Sequence, residues 1–152
     1  MRVLLMGLFL CLFAALAARA ETPVFRREPV TIVTASGESE FSAEIADTDA
    51  SQQYGLMFRY TLAPDRAMLF DFGRVRKVGM WMKNTYIPLD MIFIRADGTV
   101  SSIAENTAPH SLDVIASEEP VLAVLEVAAG TARRLGLKPG DKVYHPIFKP
   151  AP

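Results

Sequence analysis

The densest grouping of side chains able to do chemistry lies between residues 81 and 90, where Trp81, Lys83, Asn84 and Asp90 interrupt an otherwise apolar stretch. On an extended chain Trp81 and Lys83 project from one face, and the turn signal Asn84-Thr85 brings Asp90 back toward them. An indole face beside an amide and a carboxylate suits a flat, hydroxyl-rich ligand such as a sugar, stacked through its C–H face and held by hydrogen bonds. Arg59, together with Lys83, would take an anionic group such as the carboxylate or phosphate of an envelope polymer. The same residues have an architectural reading. Asn84 would cap the turn, Asp90 would accept backbone N–H bonds or pair with Lys83 or Arg59, Trp81 would fill the core, and Arg59 would end a helix.

Two further chemistries are open. Asp90 and Glu126 each sit among apolar neighbours, where burial raises a carboxyl pKa, so they could form the pair of acids used in glycosidic hydrolysis. Met80 and Met82 could hold Cu(I) together with a histidine, although methionines that continue the apolar face begun by Val78 more often serve as core filler. His110 and His145 lack a partner at the spacing of a metal pair or a nucleophile and base. Ser101, Ser102 and Ser111 are not in the strained small-residue turn that exposes a nucleophile. No catalytic set, metal site or cofactor is therefore assigned, and a non-enzymatic binding or accessory role is the leading expectation.

The N-terminus reads as a secretory signal: Arg2, an apolar run from Val3 to Ala17, and Ala18-Arg19-Ala20 before Glu21. The run is shorter than the roughly 20 residues of a membrane anchor. Cys11, the only cysteine, falls inside this segment, so cleavage after Ala20 leaves a chain without thiols or disulfides. The mature chain keeps 14 basic residues against 17 acidic ones, a net charge of −3. Nucleic acid and anionic membranes call for the opposite balance. An exported protein, periplasmic or extracellular, with an envelope glycan or another envelope component as partner fits these properties.

The elements that must position these residues are mostly strands. Residues 21–29 read as a polar leader and residues 30–148 as one domain. Val30 to Thr34 and the alternating Phe41, Ala43 and Ile45, separated by Ser36-Gly37, predict a hairpin. From Asp49, which with Gln52 resembles a capping pair, the period changes to that of a short helix ending near Gly55. Strands are predicted over Met68 to Phe72, Val78 to Lys83, Leu89 to Ile94, Thr99 to Ala104, Val121 to Val127 and Lys142 to His145. Asp97-Gly98 makes the fourth and third from last a hairpin, Glu105 to Glu119 a long loop, and Gly130 to Gly136 one helical turn. About seven strands and one or two short helices imply a mainly β fold, an antiparallel barrel or sandwich.

Gly55 to Arg59, Met68 to Phe70, Trp81 to Thr85, Pro88 to Asp90, Leu125-Glu126, Ala129-Gly130 and Gly140-Asp141 follow one another in a characteristic order. Together they resemble the family called domain of unknown function 192, over Ile32 to Val143. The resemblance implies a compact β-rich domain and no catalytic residues. Ala67 stands where the family usually has glycine, which predicts a strained or altered backbone there, and Met80 stands where it usually has an aromatic residue.

Overall fold

A computed structural model describes residues 22–149, and the predicted signal segment, residues 1–20, lies outside them. Burial at every second position, at Val30 and Ile32 and again at Phe41, Ala43 and Ile45, folds β1 (Arg27–Thr34) and β2 (Gly37–Ala46) into an antiparallel hairpin. A six-residue helix, α1 (Asp49–Tyr54), then carries the chain to β3 (Arg66–Arg76), which runs parallel to β2. After the two-residue β4 (Gly79–Met80) come β5 (Leu89–Ile94), β6 (Val100–Ala104), β7 (Ile115–Ala116) and β8 (Val121–Ala128). Helix α2 (Thr131–Leu135) and β9 (Lys142–Tyr144) complete the described elements.

Seven of the strands form one sheet in the order β6-β5-β8-β3-β2-β1-β9, antiparallel at every step but β2-β3, and β4 pairs with β7 apart from it. The sheet curls until its edges meet. Thr99 bridges Lys142, and the amides of Val100 and Val143 donate to the carbonyls of Asp141 and Gly98, each at 2.8 Å. Closure depends on Gly98, since a Cβ there would lie 2.4 Å from the Val143 carbonyl oxygen and its φ of 79° disfavours other residues. The fold is thus the β-barrel-like form expected.

Closure leaves two apolar clusters. Ile32, Phe41, Leu69, Ile92 and Leu125 fill the inside of the curl, and Ala132 and Leu135 of α2 plug it. On the outer face, Met68, Phe70, Met91, Phe93 and Val124 form a second cluster with Leu56, Val78 and Met82 from the surrounding loops.

Several expectations are corrected. The helix cap is Thr48 rather than Asp49: the Thr48 hydroxyl accepts from the Ser51 amide, while the Ser51 hydroxyl accepts from the Thr48 amide, leaving Gln52 free to donate to the Asp71 carbonyl at 2.6 Å. The leader is shorter than expected, because β1 begins at Arg27, and the Arg26 carbonyl accepts from the Ile45 amide at 3.0 Å. Val78 to Lys83 is not a full strand, since the chain turns where the Thr85 amide reaches the Met82 carbonyl. The loop from Glu105 to Glu119 carries β7. Ala67 is unstrained: it lies within β3 and is absent from the residues with positive φ.

Candidate functional site

The β5–β8 register decides what the two buried carboxylates can do. Asp90 lies opposite Val127 and Met91 opposite Glu126, so the carboxylates point to opposite faces of the sheet. Asp90 turns inward, toward the end plugged by α2. It is fully buried, and its two oxygens accept from the amides of Asn106 and Ala132, both at 2.9 Å. Glu126 turns outward between Met68 and Met91 on the neighbouring strands. It is 4% exposed and, among the described residues, has no hydrogen-bonding or charged partner. Burial alone pushes its pKa up to about 8, so near neutrality it is largely a neutral acid able to donate a hydrogen bond.

Glu126 opens into a cleft of about 270 Å³. One wall is α1 with Tyr54, held to β3 by the Gln52–Asp71 bond; another is β3 itself, with Phe70, Phe72 and Arg76. The third is β4 and the residues after it: Met80, Trp81 and Lys83. Trp81 is 47% exposed, with the Lys83 ammonium 5.2 Å from its ring centroid, and the Arg76 guanidinium lies 4.7 Å over Phe72. The cleft thus has an apolar floor with one neutral acid, an aromatic platform, two cations near its mouth and the exposed Asp49 on the α1 wall. Such a set can stack a ring, donate to a hydroxyl or carbonyl, and attract an anionic substituent.

The residues singled out by sequence do not form a single surface. Trp81 and Lys83 stand together at the cleft. Asn84 adopts a φ of 54° in the turn, where its carbonyl accepts from the Phe58 amide at 2.8 Å. Asp90 lies on the other face of the sheet, and Arg59 lines a separate hollow, paired with Glu44 at 2.5 Å. The paired-acid arrangement is overturned by the register. The Cu(I) set is not assembled either. Met82 is fully buried and its sulfur accepts from the Thr107 hydroxyl at 3.2 Å, His110 packs on Tyr86, and the His145 ring lies 2.9 Å from Glu28. No group of three or more metal-ligating His, Cys, Asp or Glu occurs among the described residues. Sequence reasoning joined Glu126 to Asp90 and passed over Tyr54 and Arg76. A lone acid in the apolar run Val121 to Val127 was the available signal.

Comparison with known proteins gives relatives of the same shape. A crystal structure from Sinorhizobium meliloti, described as a candidate transcription regulator, is 50% identical with a TM-score of 0.79, over 82% of this chain and 97% of that one. A Novosphingobium aromaticivorans protein of unknown function is 40% identical with a TM-score of 0.77, over 83% of this chain and 96% of its own. No curated protein matches. The profile of DUF192, described as an uncharacterized ACR, matches residues 31–145, and on that match the chain belongs to the DUF192 family.

Proposed function

We propose that this protein is an exported, non-enzymatic binding domain of the cell envelope, whose cleft over Glu126 takes a sugar-containing envelope component stacked on Trp81. The observation that carries this reading is the partnerless Glu126. Desolvation of this carboxyl carries a cost, expressed in its pKa raised to about 8, and an apolar side chain would serve the second cluster better. A ligand hydroxyl or carbonyl in the cleft removes that penalty. Lys83 and Arg76 favour a ligand that also bears an anionic substituent. A binding role is supported by the β5–β8 register, which puts Asp90 and Glu126 on opposite faces of the sheet and so separates the acid pair considered for glycosidic hydrolysis. Export rests on the signal-like sequence of residues 1–20. The name of the Sinorhizobium relative suggests DNA instead, but a net charge of −3 in the mature chain does not favour a polyanion.

The test uses the single tryptophan. Emission from the mature protein, residues 21–152, is titrated with oligosaccharides released from bacterial envelopes, in wild type and in Glu126→Leu. A saturable change in wild type that is lost in a folded Glu126→Leu protein is the expected result. A flat titration, or equal affinity in the variant, overturns the reading.

A further inference from the structure

A second concavity lies over β1, β2 and β3, and strand register builds it. Arg27 is opposite Glu44 across β1–β2, and Ser42 is opposite Arg66 across β2–β3. Ser42 and Glu44 are two residues apart on β2, so they and their cross-strand partners share one face. The segment after α1 adds Arg59 and Thr61, and together these residues line a hollow of about 160 Å³. Glu44 is its only acid. Arg27 reaches one of its oxygens at 2.8 Å and Arg59 the other at 2.5 Å, while Arg66 donates to the Ser42 hydroxyl at 2.8 Å.

Pairing accounts for only part of this cluster. One carboxylate is already ion-paired with two guanidinium groups, and the third guanidinium has only the largely exposed Asp65 at 3.9 Å as a charged partner. Burial works to raise the Glu44 pKa, but hydrogen bonds and charge from Arg59 and Arg27 outweigh it and hold the carboxyl below its ordinary value, so Glu44 is ionised near neutrality. Three positive charges then face one negative, an excess of two in a chain that is otherwise acidic. Each guanidinium carries five N–H donors in a planar fork, and most of those in the hollow have no acceptor in the contacts above.

We propose that this hollow binds a phosphate dianion, with Arg27, Arg59 and Arg66 as ligands and the Ser42 hydroxyl beside them. Arginine forks match the oxygens of a tetrahedral oxyanion, and the excess of two charges equals the charge of a phosphate dianion. The volume is below the roughly 300 Å³ at which pockets for whole drug-sized molecules begin, so the hollow takes one small group. That group is either free inorganic phosphate or the phosphoryl of an ester. Glu44 holds Arg27 and Arg59 apart and lowers the affinity of the hollow. The proposal is independent of the cleft over Glu126.

Isothermal titration of the mature protein at constant ionic strength, with inorganic phosphate in one arm and glycerol 3-phosphate in the other, tests it. One-to-one saturable binding is expected in at least one arm, and the arm with the higher affinity identifies the source. Arg27→Gln with Arg66→Gln should weaken binding roughly tenfold or more, because two charge-assisted forks are lost. The melting temperature of that variant in phosphate-free buffer shows whether it is folded, and Arg66→Gln alone, which leaves the Glu44 pairs intact, provides a second measure. Glu44→Gln should tighten binding severalfold by raising the excess to three. No saturable heat in either arm, wild-type affinity in folded arginine variants, or weaker binding in a folded Glu44→Gln protein would overturn the proposal.

Discussion

Asp90 and Glu126 sit on adjacent strands, one register step apart, and both are buried, Glu126 at the floor of the cleft. Their surroundings differ in one respect. Asp90 holds the loop at Asn106 and the first turn of α2 through two amide hydrogen bonds, whereas Glu126 makes no hydrogen bond among the described residues. Burial alone therefore does not separate an architectural acid from one without a structural partner in this fold; the accounting of hydrogen bonds does. The inner carboxylate stabilises the plugged end of the barrel. The outer one is a polar group kept in an apolar floor at a cost to stability, and the proposed binding role rests on it.

The strongest attempt to break this comparison is Asp90→Ala. It leaves two amides without their acceptor, and at about 1–3 kcal/mol for each, the variant should lose about 3 kcal/mol, measured by urea unfolding. Asp90→Asn keeps one acceptor oxygen and should lose less. A change for Asp90→Ala below about 1 kcal/mol would remove the architectural half of the contrast.

Glu126→Gln should act in the opposite sense, through pH. The folded protein keeps the Glu126 proton up to about pH 8, while the unfolded chain releases it near the ordinary value of 4.5. Between these values the folded state binds more protons, so its stability from this group falls as pH rises, on the order of 1 kcal/mol per unit. The contribution is whole below pH 4.5 and lost above pH 8. Replacing the acid with an amide removes this slope, so unfolding curves for the variant should be flatter than wild type across that range and more stable at its alkaline end. Parallel profiles for the two proteins would mean that Glu126 is ionised and paired after all.

Much of this contrast was hidden in the sequence for a definite reason. The β1–β2 and β5–β6 hairpins were legible because period-two burial and the turns at Ser36-Gly37 and Asp97-Gly98 agree. The parallel β2–β3 neighbours were not, since a six-residue helix is the only crossover and strand neighbours are chosen by packing. Val78, Met80 and Met82 alternate because they serve the second cluster, although only Gly79 and Met80 form a ladder. Periodicity reports burial, and here burial occurred without a strand. The sequence places Trp81 and Lys83 on one face but leaves open whether Trp81 fills the core, and the faces of Asp90 and Glu126 depend on the β5–β8 register, where a shift of one residue reverses a face.

The smallest effect on stability is expected at the rim of the cleft. Trp81 is large enough to dominate a core, yet 47% of it faces solvent, and the chain around it is fixed by backbone bonds such as that from the Met82 amide to the Ser111 carbonyl at 3.1 Å. Trp81→Ala should therefore change unfolding free energy by roughly 1 kcal/mol or less, well under the loss for Asp90→Ala. The same substitution removes the platform of the cleft, so calorimetric titration with the envelope oligosaccharide that binds wild type should show affinity falling by roughly tenfold or more, the stacking contribution of one indole. The two measurements sharpen the comparison together. A stability loss as large as that of Asp90→Ala, with binding intact, would move Trp81 to the architectural side and leave Glu126 beneath a cleft with no stacking surface.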